Sequence, residues 1–215
     1  MLEIVLEWCY SLCDNFILAI VLFTFLSKLV LIPVTIWVQK NGIKLVKMQP
    51  EINRIKIRYF GDKDNIAEEE QKIYKSNGYN PFASVFPMII QIILLILVIG
   101  TIHLVVDNRT VNLIGWGINL AVVPSVVKGW YLLAPVVAGL SSFLLSISQN
   151  KSNVLQAEQS KTMQFVTMGL SVGISLYLGF FVQVAVVVYW IASNLLSIIQ
   201  QYVINYFMNP NKYID

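Results

Sequence analysis

Charge is scarce in this chain. Of its 215 residues 13% are charged and 57% are hydrophobic, whereas soluble domains carry about 25% charged residues. That scarcity excludes an ordinary soluble domain and indicates a membrane protein. Histidine is nearly absent, His103 being the single one, and cysteine occurs only as Cys9 and Cys13. Two thiols four residues apart, with no third, make no metal site. A disulfide inside one helical turn would constrain little, so both read as packing residues. The long apolar stretches hold no acidic residue. Hydrolases and metal enzymes need several convergent polar groups, so the chain is not read as an enzyme, and no catalytic residue, metal ligand or cofactor is expected. Basic residues are missing from the first 15 positions, which hold Glu3, Glu7 and Asp14. Neither a basic signal-peptide start nor an Arg-rich transit peptide is expected there.

What the chain has in quantity is apolar length. A helical span needs roughly 20 mostly apolar residues. Asn15–Gln39 holds one charge, Lys28, while Ser76–Val106, Gly129–Asn150 and Thr162–Asn211 hold none. The last stretch suits two spans joined by a tight turn near Phe180–Gln183. Five spans are expected, over 15–39, 80–104, 129–149, 162–181 and 183–207, in a single domain covering 1–215. Lys40–Lys75 contains nine Lys and Arg, and Val105–Lys128 only two. The excess places residues 40–77 in the cytoplasm, with the N-terminus outside and the C-terminus inside. Trp8, Trp37, Trp116 and Trp130 fall near the expected interfaces. Leu2–Cys13 reads as an amphipathic segment, within residues 1–14, lying on the outer surface.

The basic loop has helical order. Leu45, Met48, Ile52, Ile55 and Tyr59 follow 3,4,3,4 spacing and share one helix face. Pro50 is tolerated in a first turn, so a helix is expected to start there. Phe60–Asp62 reads as a turn. Asp64 or Asn65 is the expected cap of a second helix that ends at Asn77–Gly78, with Glu68, Glu69 and Glu70 early in it, where the helix dipole favours acids. The product is a helical hairpin. Two readings stand: a solvated hairpin touching anionic lipid, or a docking surface for a client or partner carried by Arg54, Arg58, Tyr59 and Tyr74.

Polar groups at membrane depth are the remaining signal. They are Thr24, Ser27 and Lys28 in the first span, Gln91 in the second, and Gln183, Ser193, Asn194 and Gln200 in the last. An intramembrane charge costs about 2.5 to 3.5 kcal/mol on insertion scales, and such residues usually face a bundle interior or a wet cavity. Lys28 lies roughly 14 Å from the Trp37 interface at 1.5 Å per residue. Snorkelling recovers part of that distance. A water-accessible groove is the stronger reading, because Thr24 and Ser27 extend one polar stripe with Lys28. The Gly169–Gly173 spacing predicts close helix packing.

Several stretches are more specific. "NGYNPFASVFPMIIQ" (Asn77 to Gln91) resembles the start of the second core span of the YidC/Oxa/Alb family of membrane-protein insertases. "VYWIASNLLSIIQQYVIN" (Val188 to Asn205) resembles that family's last core span. "FTFLSKLVLIPVT" (Phe23 to Thr35) and "KMQPEI" (Lys47 to Ile52) are similar to its first span and the start of its hairpin. "WGINLAVVPS" and "WYLLAPVVAGLSSFL" are similar to the outer loop and third span of Gram-positive-type members. The resemblance runs in order along nearly the whole chain.

The resemblance implies an all-α polytopic membrane protein. Five transmembrane helices surround a hydrophilic groove, with a cytoplasmic helical hairpin, in a bacterial plasma membrane. It implies a groove of Thr24, Lys28, Gln91 and Trp190, with Ser27, Gln183 and Asn194 as further polar groups. The implied function is insertion of client hydrophobic segments into the bilayer without nucleotide hydrolysis. The implied partners are client membrane proteins and lipid, with the Sec translocon or one dedicated membrane protein in addition, and no nucleic acid. The chain departs from the family at Lys28, where Arg is usual, and at Ile93, where a proline often stands. Gln183, Val184 and Ala185 replace a small-residue turn, and the last eight residues carry one Lys. These departures keep an alternative open: a divergent paralogue that serves one membrane complex as a stable partner or chaperone.

Overall fold

The computed structural model describes residues 2–108, 113–127, 129–152 and 161–208. Among these the chain is helical except for one short ribbon. Helix α1 (Leu2–Cys13) ends at Asp14, whose φ of 48° turns the chain sharply. Asn15 then caps α2 (Phe16–Val30), its Oδ1 accepting from the N–H groups of Ile17 and Leu18 at 3.0 and 3.3 Å. That satisfies two of the donors a helix start leaves open.

The expected span over 15–39 contains a bend. Helix α2 stops at Val30, and α3 (Ile32–Arg58) leaves at 51° to it. Pro33 is the cause: it lacks an N–H, and its ring would meet the carbonyl one turn back. The ladder slips at Leu31, whose N–H reaches Lys28 O at 3.2 Å, three residues back. Pro50, by contrast, starts nothing; α3 runs through it to Arg58.

Helix α4 (Lys63–Ser76) folds back on α3 after a turn containing Gly61 at φ 90°. Asp62 caps α4, in place of the expected Asp64 or Asn65; its Oδ1 accepts from the N–H of Asn65 at 3.2 Å. Met48, Ile52 and Ile73 are buried in the hairpin, with Leu45, Ile55, Tyr74 and Tyr79 around them. Tyr59 ends the sequence stripe outside this small core. Lys56 and Glu70 pair across the hairpin at 3.3 Å. At its root Asn41 bonds both polar groups of the Asn80 backbone: Nδ2 donates to the carbonyl at 2.7 Å, and Oδ1 accepts from the N–H at 3.0 Å.

Helix α5 (Phe82–Asn108) leads to strands β1 (Ile114–Gly115) and β2 (Ile118–Asn119), paired antiparallel around Trp116 and Gly117. Helix α6 (Pro124–Val127) and a 3-10 turn (Gly129–Leu132) precede α7 (Leu133–Ser152), α8 (Lys161–Phe181) and α9 (Val184–Phe207). Among the described residues three helical stretches, Gly129–Lys151, Gln164–Phe181 and Val184–Phe207, are long and apolar enough to cross a membrane. The bent α2–α3 pair is a fourth if counted as one, and α5 contains the apolar run Ile92–Val105.

Packing is unequal along the bundle. At the end away from the hairpin, Leu6 and Cys9 of α1, Phe16 and Ile20 of α2, Ile102 and Val105 of α5, Leu120, and Val186 and Tyr189 of α9 form one buried cluster. The N–H groups of Val184 and Ala185, which open α9, donate to the carbonyls of Val122 and Leu120 at 2.9 and 3.0 Å. That end is thus closed by loop and helix together. Toward the hairpin, α5 turns Phe82, Ile89, Ile92, Ile93 and Ile96 outward. Trp8, Trp37, Trp116 and Trp130 are all exposed, as residues at a membrane interface are.

The Gly169–Gly173 pair does not make the close contact its spacing predicts. A Cβ on either would meet nothing within 4 Å. Close approach occurs further along α8: a Cβ on Gly139 would lie 2.7 Å from Leu176 Cγ, and one on Gly179 would lie 3.0 Å from Pro135 Cα.

Candidate functional site: an apolar cleft holding Lys28

The bend at Leu31 opens a cleft between α2–α3 and the second half of α9. Its cavity measures about 430 Å³ and is walled by Phe25, Leu29, Ile32, Ile36, Leu196, Ile199, Val203, Ile204, Phe207 and Met208. Among the described residues two polar side chains line it, Lys28 and Gln200.

Lys28 is held at depth by α9. Its Nζ donates to Ser197 Oγ at 2.8 Å, and that hydroxyl donates onward to Ser193 O at 2.8 Å. Because the Ser197 hydrogen is committed to a carbonyl, its lone pairs are free to accept from the ammonium. One turn further, Gln200 Nε2 donates to Thr35 Oγ1 at 3.2 Å. Beyond it, Gln39 Nε2 and Gln201 Nε2 both donate to Asn205 Oδ1 at 3.0 Å. A seam of polar contacts thus stitches α2 and α3 to α9 along one edge of an apolar cavity. Helical geometry explains its first part: Ser193, Ser197 and Gln200 recur at i, i+4 and i+7, one face of α9.

The other expected site residues are distributed as follows. Thr24 is fully buried and donates to Ile20 O at 2.6 Å within its own helix. Ser27 likewise donates to Phe23 O at 2.9 Å. Of that expected stripe, Lys28 alone lines the cavity. Gln91 sits on α5, and its side chain lies outside what the structure describes. Trp190 is half-buried on α9, away from this cavity. Gln183 precedes α9 at the closed end, its Oε1 buried without a hydrogen-bond partner among the described residues. Asn194 belongs to a second polar cluster on another face of α9. Its Nδ2 donates to Ser141 Oγ and Ser142 Oγ at 2.9 Å each, and Ser142 bonds Ser175 of α8.

On the hairpin, Arg54 and Arg58 are exposed, Tyr59 is half-buried, and Tyr74 lies against Tyr79 with ring centroids 4.9 Å apart. Burial raises the pKa of the Tyr74 phenol, with the nearby Glu70 charge adding to it. Tyr74 therefore helps build the hairpin core. Sequence reasoning missed Ser197, Thr35, Gln39 and Asn205. Nothing in a single sequence pairs residues more than 160 positions apart, although Gln200 stood out as polar at membrane depth. Among the described residues no group of His, Cys, Asp and Glu could hold a metal ion.

Comparison with known proteins adds a lineage. A family model described as the 60Kd inner membrane protein matches residues 8–212. The chain is similar to proteins named membrane protein insertase YidC. It is 29% identical to that of Pseudoalteromonas atlantica over 200 residues, covering 93% of this chain and 35% of the relative. It is 28% identical to that of Rickettsia felis over 209 residues, covering 94% and 37%. It is 31% identical to that of Francisella tularensis subsp. novicida over 202 residues, covering 93% and 34%. The chain thus spans about a third of the length of the curated relatives it matches.

Proposed function

Since the chain belongs to the 60Kd inner membrane protein family, we propose that it is a membrane-protein insertase and chaperone. In this reading it guides hydrophobic client segments into the bilayer along the Lys28 cleft, without nucleotide hydrolysis or catalytic chemistry. The observation that carries the reading is the placement of Lys28. One ammonium is tethered at membrane depth on the wall of a cleft whose other lining side chains, Gln200 apart, are apolar. A cation there attracts the acidic or polar flank of a client, while the apolar walls receive its hydrophobic part. The barrier falls because the flank crosses beside a fixed charge rather than through bare hydrocarbon.

Five spans cross a bacterial plasma membrane, α2 with the start of α3 forming the first and α5 the second, followed by α7, α8 and α9. The N-terminus is outside and the C-terminus cytoplasmic. The nine basic residues of Lys40–Lys75 put the hairpin in the cytoplasm, where Arg54, Arg58 and Tyr59 meet clients. The closed end then seals the outer face. Thr24, Ser27, Gln91, Trp190, Gln183 and Asn194 are assigned supporting polar or aromatic roles around this path.

A second reading is favoured by Lys28 standing where the family usually has Arg: a dedicated partner of one membrane complex, with or without the Sec translocon. Depletion and rescue separates the two. Cells lacking their housekeeping insertase receive this chain as wild type or carrying Lys28→Arg, Lys28→Ala or Lys28→Glu. Growth and insertion of a single-span client with an acidic tail are scored. The insertase reading expects rescue by wild type and Lys28→Arg and failure of Lys28→Ala and Lys28→Glu. Wild type that reaches the membrane yet rescues nothing would sink it in favour of the dedicated partner.

A further inference from the structure

Helix α3 is held differently at successive points along its first three turns. Near the hairpin root, Asn41 clamps it to the Asn80 backbone by two short bonds. Near the bend, the bonds that tie it to α9 run between side chains: Thr35 to Gln200 and Gln39 to Asn205. Thr35 lies one turn and Gln39 two turns beyond Leu31, where the axis turns by 51° and the helical ladder slips. The cavity occupies the gap these contacts bridge. Ile32 and Ile36 of α3 form one wall, and Gln200, Val203 and Ile204 of α9 form the other. The α3–α9 spacing therefore sets its width.

Two side-chain bonds thus cross the gap that a client segment would have to enter between α3 and α9. Contacts between uncharged side chains of packed membrane helices are individually weak, since the separated groups find other partners. Two such contacts beside a broken ladder make a fastening that binding can undo.

We infer that Thr35–Gln200 and Gln39–Asn205 are a latch across the mouth of the cleft, with Leu31 as its hinge. An apolar client segment enters when the latch parts and the start of α3 swings away from α9. The Asn41–Asn80 clamp keeps the hairpin root in place. This inference rests on the insertase reading.

Reversible bridging tests it in the full chain. In a background carrying Cys9→Ala and Cys13→Ala, the pair Thr35→Cys and Gln200→Cys is bridged in membrane vesicles by a short bis-methanethiosulfonate reagent, then released with dithiothreitol. A second version uses Gln39→Cys and Asn205→Cys, in case the first pair disturbs folding. Insertion of a single-span client should fall about tenfold on bridging, the scale of a conformational coupling, and return on reduction. A control bridge between Lys56→Cys of α3 and Glu70→Cys of α4, which pair across the hairpin away from the cleft, should leave insertion unchanged. Equal insertion by bridged and reduced protein overturns the latch. A cysteine-free parent that inserts nothing overturns the insertase reading instead, and the latch falls with it.

Discussion

Lys28 and Ser197 meet across the α2–α9 gap, Nζ to Oγ at 2.8 Å, and Asn194, three residues earlier on α9, faces Ser141 and Ser142 of α7 instead. One helix thus carries two polar anchors on neighbouring faces. The Asn194 anchor fixes the rotation of α9, and that rotation presents Ser197 to the ammonium.

The two anchors should fail differently. A hydrogen bond to a charged group contributes about 1.5 to 3 kcal/mol, and about 1.4 kcal/mol corresponds to tenfold. Ser197→Ala should therefore lower insertion of an acidic-tailed client by roughly tenfold, with Ser197→Thr restoring it and a client with a neutral tail little affected. Asn194→Ala removes two interhelical bonds of about 0.6 to 1.7 kcal/mol each. It should lower thermal stability in detergent while leaving the preference for acidic tails in place. Loss of that preference in Asn194→Ala and not in Ser197→Ala would reverse the assignment.

The hairpin has its own pH response. Asp62 accepts from the side chain and then the backbone N–H of Asn65, and both bonds hold its carboxyl below the usual carboxylate range. A carboxyl whose folded pKa is depressed stabilises the fold above its unfolded pKa, about 3.9, and ceases to do so as pH falls through the folded value. Amide protection in the first turn of α4, measured by hydrogen exchange, should therefore hold at pH 5 and weaken below about pH 4. Asp62→Asn retains a good cap without the titration, so its protection should be flat across that range. A wild-type profile as flat as that of Asp62→Asn would dismiss the cap.

Much of this architecture was legible in the sequence, for identifiable reasons. The hairpin was, because Leu45, Met48, Ile52 and Ile55 repeat on one helix face and Gly61 marks the reversal. The turn between α8 and α9 was, because fifty uncharged residues exceed one span. The bend at Leu31 was missed, although Pro33 announces it: apolar composition continues across the break and hides it. Within the site, Lys28 stood out because a charge in hydrocarbon is costly wherever it points. Ser197 did not, since a serine in a membrane helix is inexpensive and acquires meaning only from the neighbour across the gap. Thr24 shows what spacing leaves open: four residues before Lys28 it shares the helix face, and its buried hydroxyl donates to Ile20 O within its own helix.

Glycine spacing gives the sharpest test of the α7–α8 packing. Gly169 and Gly173 have the motif, but their Cα atoms face open space. Gly139 and Gly179 lack it, yet each sits where a methyl group would collide, one with the body of Leu176 and the other with the Pro135 backbone. Forcing a methyl into a filled contact costs about 1 to 3 kcal/mol, and the Pro135 backbone has less freedom to yield than a leucine side chain. Alanine also gains about 0.5 to 1 kcal/mol over glycine inside a helix. Gly179→Ala should therefore lower thermal stability in detergent most and Gly139→Ala somewhat less, while Gly169→Ala and Gly173→Ala should be neutral or slightly stabilising. The opposite order, with Gly169→Ala and Gly173→Ala the damaging pair, would mean that α8 packs closest around its glycine motif and that the α7–α8 contact described above is wrong.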